Sequence, residues 1–263
     1  MTDTARPVPF RGAGFVARPR RIVSVAALAG LLAAWQGAVM TGLASPLFLP
    51  PPTAVAAALW QLAVSGELAQ HVRASVARVA AGWAIGTATG LAAGLAMGVF
   101  SAARAAGLPL VSAIFPIPKI AVLPLFILWF GIGEPSKVAT IAAGVFFPTA
   151  IAAFAGVDQV PRSLLRMGQG FGLPAWAIVA KIVLPGAMPT VLAGFRITVA
   201  IAVILVVAAE MIGADSGLGA FVLTAGNLMR TDQLLAGVVV LSALGLAAAG
   251  LVSAAERLLL RWR

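Results

Sequence analysis

The sequence has no cysteine and no tyrosine, and His71 is its only histidine. Thiol chemistry and metal sites built from cysteine and histidine are therefore excluded. A catalytic set of serine, histidine and aspartate would have to use His71, which lies near Glu67 between two hydrophobic runs; the alternative is a solvated or interfacial histidine. No GxxxxGK[ST] phosphate-binding loop occurs either. If the protein does work, the energy must come from another chain.

Charged residues are also scarce, at 10% of the chain, while 61% of residues are hydrophobic and the mean hydropathy is +1.05. These values predict an integral membrane protein. A helix needs about 20 apolar residues to cross a hydrocarbon core about 30 Å thick. Six runs have about this length, at residues 22–42, 79–100, 108–130, 138–157, 182–209 and 234–255. Because strand-like alternation is absent from them, the predicted fold class is all-α with six transmembrane helices.

The positions of lysine and arginine predict how these spans are oriented. Arginines cluster at both ends of the chain: Arg6, Arg11, Arg18, Arg20, Arg21, Arg257, Arg261 and Arg263. Both termini are therefore expected in the cytoplasm, with residues 1–21 as a tail and residues 22–263 as one transmembrane domain. Six spans also put a group of cations inside, namely Arg104, Arg162, Arg166 and Lys181. The same arrangement puts a group of acids outside, namely Glu67, Glu134, Asp215 and Asp232.

The net charge of +10 is accordingly interpreted as membrane topology and not as nucleic-acid binding. The first apolar run is longer than the roughly 7–15 residues of a signal-peptide core, so it is expected to be a retained anchor. A further apolar segment, at about residues 54–64, is too short to cross the membrane. We expect it to form a short helix at the outer face.

Glycine recurs at every fourth position of the second run: Gly82, Gly86, Gly90, Gly94 and Gly98. Four residues nearly complete one helical turn, so these glycines form a single, slowly drifting groove. Such a groove lets a second helix approach closely. We therefore assign this glycine stripe to helix packing, and a ligand path along it is the alternative.

Two cations fall inside hydrophobic runs. Lys119 is surrounded by prolines, so the third span should be irregular, and its side chain either snorkels to the cytoplasmic edge or lines a path. Arg196 lies midway along the fifth span, where a charge is unfavourable by about 2.5–3.5 kcal/mol unless it meets water or a partner. It either lines the substrate path or forms an internal pair, with Glu210 of a second subunit or with carbonyl groups. We treat Arg196, Lys119 and Glu210 as candidate path residues.

The segment RMGQGFGLPAWAIVAKIVLP, residues 166–185, interrupts the apolar sequence with glycines, a proline and two cations. It predicts a short helix, a turn that uses Gly172, and a second helix that enters the membrane at Leu184 and Pro185. The spacing Gly172, nine residues, Ile182, one residue, Leu184-Pro185 is similar to the cytoplasmic signature of bacterial ABC-importer permeases, EAA, three residues, G, nine residues, I, one residue, LP. The Glu-Ala-Ala positions differ, because Arg166, Met167 and Gly168 occupy them.

Three other segments extend the resemblance over most of the chain: KIAVLPLFILWFGIGEPSKV, LPGAMPTVLAGFRI and AEMIGADSGLGAFV. Together they resemble the permease subfamily that serves nitrate, taurine, aliphatic sulfonates, bicarbonate and some thiamine-precursor pyrimidines. The resemblance implies a type I importer in the bacterial inner membrane. Such an importer has two permease subunits, two cytoplasmic ATPases that hold ATP and Mg²⁺, and an extracytoplasmic substrate-binding protein.

The resemblance further implies that a segment at about residues 158–181 couples to the ATPase. The implied coupling residues are Arg162, Arg166, Met167, Gly168, Gly172, Ile182, Leu184 and Pro185. A homodimer is favoured, because the chain contains one six-span unit and no second signature. The substrate stays open between a small anion and a neutral solute such as a pyrimidine. A non-transporting scaffold is an alternative that the Glu-Ala-Ala departure supports. An intramembrane enzyme is not supported, because the spans lack paired acids or a nucleophile with its base.

Overall fold

The computed structural model describes residues 21–261 and, ahead of them, the backbone of two dipeptides. These dipeptides, Pro9–Phe10 (β1) and Ala13–Gly14 (β2), pair antiparallel, with Pro9 opposite Gly14. Apart from the dipeptides and residue 21, the expected cytoplasmic tail, residues 1–21, lies outside the described residues. Its role stays a prediction.

The chain divides into two units, residues 1–54 and 55–263. The first unit contains α1, Arg21–Met40, whose 20 residues correspond to the first predicted span. At the end of this unit begins α2, Pro52–Val64, which has 13 residues. Proline suits the first position of a helix, since the N–H that it lacks has no partner there. The prediction of a short helix at residues 54–64 is confirmed.

The other helices follow one another in the second unit. They are α3 (Glu67–Val99), α4 (Ser101–Ile114), α5 (Leu123–Phe130), α6 (Glu134–Asp158), α7 (Arg162–Gly170), α8 (Ala175–Ile178), α9 (Leu184–Glu210), α10 (Leu218–Asn227) and α11 (Thr231–Leu259). A 3₁₀ turn, Lys119–Val122, precedes α5, and a π-helical turn, Val179–Val183, joins α8 to α9.

Within residues 21–261, five helices are long and apolar enough to cross a membrane, and a bent pair makes a sixth candidate span. The all-α, multi-pass fold is therefore confirmed. From the second onward, the spans begin earlier than the hydropathy of the sequence predicted, and the difference is largest for the second. The second starts at Glu67 rather than residue 79, and the fifth is a continuous helix from Ala175 rather than from residue 182.

The third predicted span, residues 108–130, is irregular as expected from its prolines, and it is broken more sharply than an irregular helix would be. The structure has two helical segments there, Ser101–Ile114 and Lys119–Phe130, with an angle of 89° between them. Pro116 and Pro118 lie in the break, and neither has an N–H to continue a helix. Pro118 itself has extended backbone angles, with φ −61° and ψ 113°. The prolines thus turn the chain instead of merely loosening one span.

The core of the second unit is formed where α6 packs between α3 and α9. A methyl group added at any member of the glycine stripe of α3 would come within 3.0 Å of an atom of α6. At Gly90, for example, the added carbon would lie 2.5 Å from the carbonyl oxygen of Phe146. Next to this seam, Ile141 and Val145 of α6 are fully buried against Val206 of α9. The stripe is filled by α6, so within residues 67–158 it leaves no groove for a ligand.

Candidate functional site

The first candidate site is α7, a short helix with most of its surface exposed. Of its nine residues, only Gly168 is buried. Arg162 and Arg166 are exposed on it, and so are two large apolar side chains, Leu164 and Met167. Apolar side chains beside cations on a short exposed helix form a surface that another protein can cover.

The end of α7 explains the requirement for glycine at position 172. The N–H of Leu173 donates to the carbonyl of Gly168 (3.0 Å), and the N–H of Gly172 donates to the carbonyl of Gln169 (2.9 Å). This pair of bonds is a Schellman motif, whose central residue must be left-handed. Gly172 has φ +69°, a conformation that is unfavourable for any residue with a side chain. The predicted turn at Gly172 is thus present and depends on backbone conformation.

The second half of the signature packs against α7. A methyl group added at Gly168 would lie 2.9 Å from Cδ1 of Ile182, so these two signature positions face each other. Ile182 belongs to the π-helical turn, which ends immediately before Leu184 and Pro185. Pro185 offers no N–H to the carbonyl of Lys181, and a wider turn accommodates this loss. The motif therefore joins α7 to a helix that continues unbroken to Glu210.

Lys119 lies at the bend between α4 and α5. Its Nζ donates to the carbonyls of Ile114 (2.8 Å), Phe115 (3.3 Å) and Ile117 (2.9 Å), and it lies 4.4 Å from the centre of the Phe147 ring. A cation at a helix C-terminus satisfies carbonyls that have no partner within the helix. The structure thus gives Lys119 a third role, as the cap of the bend, besides the two that were expected.

Arg196 has an acidic partner that lies far away in sequence. Its Nη2 is 2.5 Å from Oε2 of Glu256, near the C-terminal end of α11, and the two side chains are 53% and 25% exposed. Both residues border an open groove of about 520 Å³, together with Arg257. Glu256 was not predicted as the partner, since a sequence does not show which part of α11 lies beside Arg196. The pair leaves about half of the Arg196 side chain exposed in this chain.

Glu210, the third candidate path residue, lies in a buried ion-pair cluster at the opposite end of α9 from α7. Its carboxylate accepts a hydrogen bond from Nη1 of Arg78 (2.7 Å) and from Oγ of Ser75 (2.8 and 2.9 Å to its two oxygens). Arg78 also donates through Nε and Nη2 to both oxygens of Glu134, at 2.7 and 2.6 Å. The side chains of Arg78 and Glu210 are 3% and 0% exposed, whereas that of Glu134 is 63% exposed.

Arg78 and Ser75 were not among the residues predicted from the sequence. The expected alternative was that Glu210 pairs with Arg196 of a second subunit, but Glu210 is fully buried and bound within its own chain. A signal was available, since His71, Ser75 and Arg78 recur at the spacing of one helical face. In the described part of the chain, no three acidic or histidine side chains come together as metal ligands.

Comparison with known proteins agrees with the fold. The chain is 36% identical to the taurine transport system permease protein TauC of Escherichia coli (strain K12), over 84% of this chain and 82% of that protein. It is also 36% identical to the putative aliphatic sulfonates transport permease protein SsuC of the same organism, over 89% of each chain. Among solved structures, an inward-facing form of the MetNI methionine ABC transporter aligns with a TM-score of 0.63 at 20% identity, over 72% of this chain and 94% of that one.

The MetNI likeness concerns the fold, because the identity is low. The family described as binding-protein-dependent transport system inner membrane component matches residues 86–261, a range that includes α7, the π-helical turn and the whole of α9. The alignments with the sequence relatives cover most of this chain and most of each relative. The chain therefore belongs to the family of binding-protein-dependent transport system inner membrane components and is a permease subunit of an ABC importer.

Proposed function

We propose that this permease forms the translocation path for a small organic or inorganic anion, such as a sulfonate, taurine or nitrate. Two copies of the chain assemble with two cytoplasmic ATP-binding subunits and receive the solute from an extracytoplasmic binding protein. ATP and Mg²⁺ are held by the ATP-binding subunits, where hydrolysis takes place. Both termini face the cytoplasm, and the complex resides in the bacterial inner membrane.

The connection from α7 to α9 is the observation that carries this proposal. The exposed helix α7 ends in a stiff glycine turn, packs on Ile182 through Gly168, and leads into one helix, Ala175–Glu210, of 36 residues. At 1.5 Å per residue this helix is about 54 Å long. A displacement of α7 by a partner therefore acts on one end of a helix that is long enough to cross the membrane.

The anionic substrate is supported by the names of the relatives and by one side chain. Taurine and aliphatic sulfonates share a sulfonate group, and the proteins named for them resemble this chain over most of its length. Of the three candidate path residues, Lys119 is bound to carbonyls and Glu210 is fully buried. Arg196 remains half exposed beside an open groove, so it is the candidate that can attract an anion.

Substitution of Gly172 tests the coupling. Gly172→Leu forces a side chain into a left-handed conformation, so ATPase binding and uptake should be lost while the chain still inserts. Gly170→Leu is the matched control, because an added carbon meets nothing within 4 Å at either glycine but Gly170 has no positive φ. Uptake and bound ATPase are measured together in vesicles. Normal uptake by Gly172→Leu would remove this turn from the coupling path.

Arg196 tests the substrate class. In vesicles with the complete importer, Arg196→Ala should reduce taurine or nitrate uptake while the complex still assembles, and Arg196→Lys should keep part of the uptake. Glu256→Gln removes the partner and keeps the arginine, so it separates a role in binding from a role in packing. Uptake of a neutral pyrimidine instead of the anions would contradict the proposed substrate class.

Labelling with a membrane-impermeant thiol reagent tests the orientation, since the natural chain has no cysteine. A cysteine in place of Gln169, in α7, should react from the cytoplasmic side. A cysteine in place of Ser216, which precedes α10, should react from the other side. Reaction of both from one side would overturn the proposed topology.

A further inference from the structure

The N-terminus of α10 is held by side chains from two other helices. Three consecutive backbone N–H groups at this end each donate to a side chain: Gly217 to Nδ1 of His71 (3.1 Å), Leu218 to Oγ of Ser75 (2.8 Å) and Gly219 to Oε2 of Glu210 (2.8 Å). The first N–H groups of a helix have no partner within it. We call His71, Ser75 and Glu210 the α10 clasp. It satisfies these groups with two residues of α3 and one of α9.

The clasp is stabilised by Arg78, one turn beyond Ser75 in α3. Arg78 donates to Glu210 and, through the same Nη1, to the carbonyl of Ser216 (2.6 Å) just before α10. A methyl group added at Gly217 would overlap the Glu210 carboxylate, and Gly217 has φ +126°. The clasp therefore fits only a chain with glycine at this entry point. His71 adds a ring contact to α10, with its centroid 5.2 Å from that of Phe221.

The clasp lies at the far end of the helix that begins beside α7. Glu210 is the last residue of α9, which continues without a break from Ala175. Glu210 thus connects α9 to α10 through a side chain as well as through the connecting loop. Because a helix transmits displacement along its axis, a movement of α9 that starts at α7 reaches the clasp.

Residues with positive φ lie at both ends of α10, where a helix can have hinges. Gly213 (φ +73°) and Gly217 precede it, and Met229 (φ +54°) follows it. Among the residues that the structure describes, Met229 is the one residue other than glycine with a positive φ. Five of the ten residues of α10 are buried, so it packs as a rigid helix between these two hinges. Such a helix can pivot if the hydrogen bonds at its N-terminus change.

We propose that the α10 clasp positions α10 as a gate at the end of the permease opposite α7, and that it makes the gate follow α9. This inference rests on the proposed transport function. His71, Ser75 and Glu210 are positioning residues, which act on the solute path through α10. When the clasp is intact, α10 stays closed until α9 moves. When it is weakened, α10 opens independently of α9 and of the ATPase.

Two substitutions of His71 separate its hydrogen bond from its packing. His71→Phe keeps a ring against Phe221 and removes the acceptor for Gly217, whereas His71→Asn restores an acceptor and removes the ring. In the complete importer in vesicles, His71→Phe should lower uptake about fivefold, the effect of one lost hydrogen bond. ATP hydrolysis should continue, and its stimulation by the binding protein should fall by about the same factor. His71→Asn should retain coupling, and Arg73→Ala, an exposed cation on the same helix, is the control.

Parallel losses of uptake, hydrolysis and assembled complex in His71→Phe would make His71 a structural residue only and would overturn the inference. If His71→Phe couples ATP hydrolysis to uptake as the unsubstituted importer does, the inference is overturned as well. Absence of solute uptake by the unsubstituted importer would instead contradict the proposed function.

A labelling experiment tests the clasp without any transport. Ala225→Cys places a thiol at a buried position of α10, where the native residue is 3% exposed. A membrane-impermeant thiol reagent should label it about fivefold faster in the His71→Phe background than with His71 present, as expected for one lost hydrogen bond. The Arg73→Ala background should leave the rate unchanged. Equal labelling rates with and without His71 would show that the clasp does not hold α10 closed.

Discussion

The helices α7 and α10 have nearly the same length, nine and ten residues, but opposite surroundings. One residue of α7 is buried, and the helix carries Arg162 and Arg166. Five residues of α10 are buried, and it carries no charge. The difference shows how each helix is covered within this chain. The surface of α7 is left exposed, whereas α10 is held by buried groups of its own chain.

The two helices end in the same backbone motif with different central residues. Gly172 ends α7 with φ +69°, and Met229 ends α10 with φ +54°. At α10 the N–H of Arg230 donates to the carbonyl of Ala225 (2.9 Å), as Leu173 does to Gly168 at α7. A residue with a side chain is less favourable than glycine at this point by about 1–2 kcal/mol. The end of α7 is therefore relaxed, and the end of α10 is strained.

The largest expected effect is that of Arg78→Gln on the anchoring of α10. Removal of one partner from a buried ion pair lowers stability by about 3–5 kcal/mol, because a buried charge is left unpaired. Here Glu210 would be left with Ser75 and the α10 backbone as its hydrogen-bond donors. Thermal unfolding of the detergent-purified chain measures the change. Arg73→Gln, on the exposed side of the same helix, should leave the unfolding temperature unchanged, and an equal drop in both variants would contradict the assignment.

The two carboxylates that bind Arg78 should differ in importance. Glu210→Gln should lower the free energy of unfolding by about 1.5–3 kcal/mol, the usual value for hydrogen bonds to a charged group. Glu134→Gln should lower it by less than about 1 kcal/mol, because Glu134 itself is 63% exposed and solvent screens its side of the pair. The same unfolding measurement ranks the two variants. A larger loss for Glu134→Gln would show that α10 is not held mainly through Glu210.

Met229→Gly should stabilise the end of α10. The substitution relieves about 1–2 kcal/mol of left-handed strain and adds about 0.5–1 kcal/mol of backbone entropy to the unfolded chain. We therefore expect a gain of about 0.5–1 kcal/mol in the free energy of unfolding. Met229→Ala is the control, because it removes the side chain and keeps the strain. A gain of the same size in both would assign the effect to the side chain.

Gly168→Ala should have the smallest effect, although it restores the alanine of the family signature. Alanine is favoured over glycine inside a helix by about 0.5–1 kcal/mol, but its methyl group would require Cδ1 of Ile182 to move. The two terms oppose each other, so stability should change by less than about 0.5 kcal/mol. Unfolding and ATPase binding are measured together. A loss of ATPase binding would show that glycine is required at this position for coupling.

Most of the fold could be predicted because hydropathy identifies the long apolar helices that are stable across a membrane. Long apolar runs predicted the spans, and the four-residue glycine spacing predicted a close approach of helices, which the structure places between α3 and α6. The exact helix ends could not be predicted this way. α3 extends to Glu67, and the fifth span extends back to Ala175, because polar helical turns continue beyond the apolar part of a span.

The candidate sites were predicted unevenly. The turn at Gly172 and the join at Pro185 are local features, since a left-handed glycine and a proline without an N–H act on their own neighbours. The partner of Arg196 was missed, because Glu256 lies 60 residues further along the chain. The clasp was missed for the same reason, since Ser75 and Glu210 are 135 residues apart.

The sequence by itself determined the membrane location, the helical class, the number of candidate spans, and the segment that resembles the ATPase-coupling signature. These properties follow from composition and from short-range spacing, which act through hydrophobicity and backbone geometry. Only the tertiary structure decided that the proline-rich segment turns the chain by 89°, that Lys119 caps this bend, and that Arg78 rather than Arg196 binds Glu210. The physical reason is that the partner of a buried charge is set by which helices pack together, and packing brings together residues that are far apart in sequence.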